Sequence, residues 1–408
     1  MLRFVVFLIP ILINVASGGI FFITAYRFAV EGNPNSKMLY ATGTMACWAL
    51  SYAVSALVVG RFVKPARAFK VLLSSSVALL FVSIGFIVFQ NLYVQFFWIA
   101  LYGIVFALYC IPFQIYMKGF EIKQTSGIVA SCCKYLASWS IGLAVGAFLF
   151  SSLSLNWSYG FIAFFAFFIF ISLLLIEKVR SSVSEDYSGD KQGEVCKEEK
   201  PKKELTEVLE KAEKKNAFAD SLKNKPDCVM AGWVLIGLGT FTISIVRTLE
   251  PVLAVKMGIS QLHAGLILAL VSIMQAVVAL FMMKNKTWFY HFGAILFLGL
   301  CGVIGLVLYA LKLNCFALYM ASVVYGVFSG MFYLFATFHS LVHPEKSPKY
   351  IGVNEALVGV GCVVGAVFGG IVAQYISIGV VFYICAAVIV FAVLLASYIV
   401  RSKMTSAA

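Results

Sequence analysis

Charge is what this chain has least of. Only 12% of its 408 residues are Asp, Glu, Lys or Arg, about half the ~25% of soluble domains. Acids are the scarcer sign, 18 against 31 Lys and Arg. Outside one central stretch only Glu31, Glu121, Glu250, Glu345 and Glu355 remain. Ten cysteines show no CxxC and no Cys/His ligand spacing, so no metal site is expected, and the thiols read as small buried hydrophobes. P-loop, HExxH and GxSxG signatures are absent, as is any GxGxxG set between strand and helix. An enzyme is therefore the least supported class and no cofactor is expected. An ATP-driven pump would lack its nucleotide module, which leaves an ion gradient or the solute gradient as the driving force.

What is abundant is apolar length. The chain is 62% hydrophobic, and a bilayer-crossing helix needs ~20 mainly apolar residues. Twelve spans satisfy this: 3–30, 38–60, 68–89, 93–117, 125–149, 157–176, 229–250, 261–283, 288–311, 314–338, 350–373 and 378–400. Backbone polar groups in lipid must be satisfied internally, so runs of this length are helical. The fold class predicted is an all-α membrane protein, twelve transmembrane helices in two six-helix bundles. The first span is too long for a removable signal peptide and is expected to bend at Pro10.

A net charge of +13 is a topology signal, and no nucleic-acid partner is expected. Arg3, Arg61, Arg67, Lys70, Lys118, Lys284, Lys349, Arg401 and their neighbours all fall on one side of the membrane. Only Lys37, Lys256 and Lys312 fall on the other. Basic residues are retained in the cytoplasm during insertion. Both termini and the central loop are therefore expected there, in a plasma membrane or a bacterial inner membrane, with the protein a monomer.

Residues 177–227 hold 13 of the 18 acids and 12 of the 31 bases, too polar to bury a core of their own. They divide the chain into an N-terminal bundle (1–177), a linker loop (178–227) and a C-terminal bundle (228–408). Within the linker, 202–222 has acid and base at helical spacing. It reads as a tether or as a regulatory segment.

The halves resemble each other. Gly19-x-Phe21-x-x-Thr24-x-x-Arg27 matches Gly239-x-Phe241-x-x-Ser244-x-x-Arg247, 220 positions on. Tyr102-Gly103 matches Tyr325-Gly326, and Gly142-x-x-x-Gly146-Ala matches Gly361-x-x-x-Gly365-Ala, at offsets of 223 and 219. Such repeats enclose solute sites at their interface. With Pro251, Gly258-Ile259-Ser260 and Gly265 at the junction of spans 7 and 8, the chain resembles the major facilitator superfamily. That resemblance implies two bundles around a central cavity and alternating access by rocking. One departure stands out: in the loop from Gly60 to Arg67, Lys64 occupies the place of the family's usual aspartate.

Ionisable groups inside spans cost ~2.5–3.5 kcal/mol on insertion scales and so mark function. Arg27 and Arg247, equivalent in the two repeats, could clamp an anion or gate the outer mouth. Each also has an acid on hand, Glu31 four residues on and Glu250 three on, for a local ion pair. Lys134 lies on a small-residue stripe with Ala130, Ser138, Gly142 and Gly146, and so faces protein. Glu355, beside Asn354, lies early in span 11. Because spans 4, 5, 10 and 11 form the inner gate in the resembled family, Lys134 and Glu355 are expected to help close it, directly or through water, with Glu355 a candidate proton acceptor. Tyr26, Gln114, Tyr135, Trp139, Gln275 and Tyr333 complete the expected lining, alongside Tyr109. Gly361, Gly365 and Gly369 form a face suited to sliding or to static packing.

The expected function is secondary transport of a small organic anion, with a proton or other ion co-transported. A proton-coupled carrier of a neutral sugar- or nucleoside-like solute is the alternative. A transport-inactive receptor or scaffold is the alternative of another class.

Overall fold

Each apolar run folds as one helix, and the polar breaks between runs become the turns. The computed structural model describes residues 2–63, 67–122, 128–153, 155–189, 226–284, 287–342 and 347–407. The helices are α1 (Leu2–Glu31), α2 (Lys37–Phe62), α3 (Ala68–Val88), α4 (Gln95–Ile122), α5 (Ile128–Ser152) and α6 (Leu155–Gly189). After the linker come α7 (Val229–Lys256), α8 (Gln261–Met282), α9 (Phe292–Leu311), α10 (Cys315–Val342), α11 (Ser347–Tyr375) and α12 (Ile378–Ala407). A 3-10 turn, Thr287–Tyr290, precedes α9. All twelve are long and apolar enough to cross a membrane, and no strand occurs among the described residues. The chain is an integral membrane protein.

Three prolines sit inside helices, Pro10, Pro112 and Pro251. In lipid a broken backbone hydrogen bond has few alternative partners, so the helices continue through them rather than unwind. α6 runs well past its expected end, through Glu177 and Lys178 to Gly189, the first glycine or proline after Gly160. The rest of the linker, including 202–222, lies outside the described residues.

The turn between α7 and α8 shows why a glycine stands at position 258. Its φ of 69° is left-handed backbone, cheap only without a Cβ. The Gly258 amide donates to Val255 O at 3.1 Å and the Ile259 amide to Ala254 O at 2.9 Å. These satisfy carbonyls that the helix end leaves orphaned.

Within each half the same neighbours pack. α1 lies on α5 and α6, α3 on α4 and α6, and α2 on α4; α7 lies on α11 and α12, α9 on α10 and α12, and α8 on α10. The matched glycine motifs explain the tightest of these. A Cβ on Gly142 or Gly146 would run into Ile11 O or Val15 O of α1, and one on Gly361 or Gly365 into Gly237 O or Phe241 O of α7. Small residues let the backbones close. Gly361, Gly365 and Gly369 therefore pack within their own bundle, whereas Gly359 and Gly370 of the same helix press on Ala53 and Thr42 of α2 across the boundary between halves.

The halves meet along α2 with α11 and α5 with α8, pairs exchanged by the repeat. At the end of the molecule opposite the chain termini, the far face, two glutamines of the second half cap helix ends of the first. Gln261 Nε2 donates to Phe150 O and Leu153 O, each at 3.4 Å, and Gln374 Oε1 accepts from the Met38 amide at 3.2 Å.

Candidate functional site

Between the halves lies a narrow cavity of about 50 Å³. α1 contributes Asn14 and Phe21, α2 Trp48 and Tyr52, α4 Phe106 and Cys110, and α5 Tyr135 and Trp139. The second half adds Arg247 of α7, Tyr333 and Thr337 of α10, and Asn354, Glu355 and Cys362 of α11. Seven of the seventeen lining residues are aromatic. Trp48 and Tyr52 stack at 5.0 Å, and Phe21 meets Trp48 edge-on at 4.9 Å. Trp139 meets Tyr333 edge-on at 5.0 Å across the bundle boundary.

One arginine and one glutamate enter this lining. Arg247 lies nine residues before the end of α7, roughly 14 Å from its far-face terminus. Its guanidinium carbon is 5.7 Å from the Trp139 ring centroid, a cation–π arrangement strongest where water is excluded. The buried Nη2 atom has no hydrogen-bond partner. Arg247 also borders a smaller space of about 20 Å³ toward the far face, with Gly18, Phe22, Leu268 and Ser272.

Glu355 lies nearer the terminal face, about two turns into α11. Tyr52 donates its hydroxyl hydrogen to Oε2, and Gln114 Nε2 donates to Oε1 at 2.8 Å. Both donors belong to the first half, so this carboxyl ties α11 to α2 and α4. Asn354 beside it lines the cavity with its Oδ1 unpartnered. Across from it Asn14 Oδ1 is likewise buried and unpartnered, its Nδ2 being spent on Pro10 O at 2.8 Å.

The two repeat-related arginines part company. Arg27 forms an ion pair with Glu31, Nη2 to Oε2 at 2.9 Å, and its Nη1 donates to Gln90 O at 3.0 Å. It does not line the cavity. Four residues' spacing places Glu31 on the same helix face as Arg27. Glu250, three residues after Arg247, is fully buried with neither carboxyl oxygen partnered.

Lys134 and Glu355 do not meet directly. Lys134 Nζ is 5.9 Å from the Phe7 ring centroid of α1, and among the described residues it makes no ion pair with Glu355. Adjacent helical residues point about 100° apart. Tyr135 faces the cavity, so Lys134 is turned onto the α1–α5 seam that Gly142 and Gly146 continue.

Of the other expected lining residues, Tyr135, Trp139, Tyr333 and Asn354 reach the cavity, and Gln114 reaches it through Glu355. Tyr26 stacks on Phe22 at 5.5 Å instead. Gln275 is fully buried, accepting from Ser140 Oγ at 3.3 Å and donating to Ser329 Oγ, a bridge from α5 through α8 to α10. Tyr109 is buried with its hydroxyl unpartnered. Asn14, Trp48, Tyr52, Cys110, Thr337 and Cys362 escaped the sequence reading. Only Asn14, an amide in an otherwise apolar run, carried a usable signal.

Comparisons with known proteins agree with this architecture. A sequence profile described as the Major Facilitator Superfamily matches residues 129–343. None of the curated proteins matches the sequence. Solved structures of the same fold include the human organic anion transporter MFSD10 (TETRAN), 13% identical, with a TM-score of 0.63 over 96% of this chain and 98% of that one. The nucleoside transporter NupG is also 13% identical, with a TM-score of 0.61 over 98% of each chain. At such identity the likeness is one of fold.

Proposed function

The chain belongs to the major facilitator superfamily, and we propose that it is a secondary active transporter of a small organic anion, working by alternating access about the central cavity. Arg247 carries this reading. It is a guanidinium on the cavity wall with an unpartnered donor, and its nearest acid in sequence stays unpaired. A carboxylate or phosphate would supply the missing acceptor, in the two-pronged geometry that suits a guanidinium. The aromatic walls favour a flat, partly apolar body on that anionic head.

The cavity is far smaller than the ~300–1,000 Å³ of ligand sites, so the structure corresponds to a closed state that must open to admit solute. Tyr52 and Gln114 on Glu355 act as the latch between halves on the terminal side; Gln261 and Gln374 act on the far side. Lys and Arg crowd the terminal face, which supports a cytoplasmic position for both termini.

A second reading, a neutral nucleoside-like solute, draws on the free acceptor oxygens of Asn14 and Asn354, which suit hydroxyl or amino donors. The structural neighbours include a carrier of each kind, and it is the open donor of Arg247 that favours the anion reading.

Uptake of labelled benzoate and labelled uridine into proteoliposomes tests both. Benzoate uptake that falls at least tenfold in Arg247→Gln, and less in Arg247→Lys, is expected. Benzoate uptake indifferent to Arg247→Gln, or uridine uptake alone, would overturn the anion reading. No transport of any solute would favour a scaffold.

A further inference from the structure

Arg247 and Glu250 present a mismatch that the first repeat resolves and the second does not. They stand three residues apart on α7, with Cβ atoms about 5–6 Å from one another. The guanidinium Nη2 is buried without a partner, and so are both oxygens of Glu250, which is 0% exposed. In the first repeat the corresponding arginine closes on its acid at 2.9 Å. The guanidinium also meets the Tyr333 hydroxyl and the Trp139 ring, but an open donor within reach of a carboxyl with two open acceptors marks a pair that forms in another state of the transport cycle.

A bare carboxylate in an apolar interior costs several kcal/mol, and the group neutralises instead. We infer that Glu250 is the protein's proton-binding site, and that it exchanges with the anionic solute as counter-charge to Arg247. This rests on the anion reading of the cavity. In the loaded carrier the solute's negative charge answers Arg247 while Glu250 holds a proton. When the solute leaves toward an opened far face, water reaches α7 and Glu250 releases its proton to it. The resulting carboxylate then takes Arg247. Binding a new anion breaks that pair, and Glu250 takes a proton back from water. Charge balances in both states, so one proton accompanies each monoanion in the same direction.

The surroundings suit a site that ionises only on opening. Tyr309 of α9 and Tyr319 of α10 lie within electrostatic reach of Glu250. The Tyr309 hydroxyl is bonded to Ser322 Oγ at 2.6 Å, and Tyr319 to His263 of α8 at 2.6 Å. α11 has no Asp, Glu, Lys, Arg or His after Glu355, its Lys349 lying at the opposite end, and α12 has none before Arg401. On α1 the charges at the far-face end are Arg27 and Glu31, already paired, and Arg3 stands at the opposite end of the helix. At the far mouth Lys256 of α7 lies near Lys37 of α2 and Lys312 after α9, cations that would favour the carboxylate once water enters.

The switch can be read without any solute. Arg247 sits over Trp139, so drawing it toward ionised Glu250 as pH rises should change Trp139 emission, identified by its loss in Trp139→Phe. Glu250→Gln and Glu250→Met should abolish the response, as should Arg247→Gln. A response that persists in both Glu250 variants, or none in the unaltered protein, would overturn the inference. With benzoate as the probe, apparent affinity should weaken tenfold per pH unit above the titration and become flat with pH in Glu250→Gln. Failure of benzoate to bind would count against the anion reading, while the fluorescence result would still decide the switch.

Discussion

The Tyr52 hydroxyl of α2 donates to the Glu355 carboxyl of α11, so one hydrogen bond joins the two bundles beside the cavity. Gln114 of α4 supplies the second donor at 2.8 Å. A hydrogen bond to a charged group contributes about 1.5–3 kcal/mol. Tyr52→Phe keeps the ring that stacks on Trp48 and removes only the donor. Cys110 and Cys362, both buried in the cavity wall, are native reporters of opening. Their alkylation by a small maleimide should speed up about tenfold or more in Tyr52→Phe. An unchanged rate would show that this contact does not hold the halves together.

Lys134 packs against Phe7 of α1, whereas Glu355 is held by Tyr52 and Gln114, so the two are expected to act independently. Lys134→Met is expected to leave the pH profile of uptake unaltered. Combining Lys134→Glu with Glu355→Lys should transport no better than Glu355→Lys alone. Recovery of uptake in the reversed pair would contradict the packing of Lys134 against Phe7.

Gly142 and Gly361 occupy equivalent close crossings, α5 on α1 and α11 on α7. In each case a Cβ would press on a carbonyl oxygen of the neighbouring backbone, which cannot yield as a flexible side chain would. Ala at either position should destabilise by about 1–3 kcal/mol, and by similar amounts. Gly237→Ala has nothing within 4 Å of its new methyl and serves as the control. Thermal unfolding in detergent followed by size-exclusion fluorescence would compare the three; equal stabilities would remove the close-crossing argument.

Cys228, just before α7, is buried, and that burial with the nearby Asp227 carboxylate pushes its thiol from 9.0 up to about 11, Lys403 offsetting part of the rise. The thiolate is the reactive form. Alkylation of a variant retaining only Cys228 should therefore be slow at neutral pH and climb about tenfold per pH unit toward that value. Asp227→Asn should shift the profile to lower pH. A profile centred near an ordinary thiol would show that Cys228 is not desolvated.

Much of this was readable from residues alone, because the bilayer permits few answers. Long apolar runs could only be helices, their number and the basic bias followed by counting, and repeated glycine and arginine motifs exposed the duplication. Gly142 and Gly361 could be matched by offset before any packing was known. Side-chain direction is another matter. Nothing in the spacing of Lys134 and Tyr135 says which of two neighbouring residues meets the cavity, since the helix is apolar on every side. Arg27 and Arg247 looked alike in sequence, yet only the fold gave one its acid and held the other's apart. Tyr52, one aromatic among many, owes its role to a partner 303 residues away. A uniformly apolar helix carries no periodic contrast to orient it, so its length determined that it spans the membrane, whereas its rotation was decided by tertiary packing.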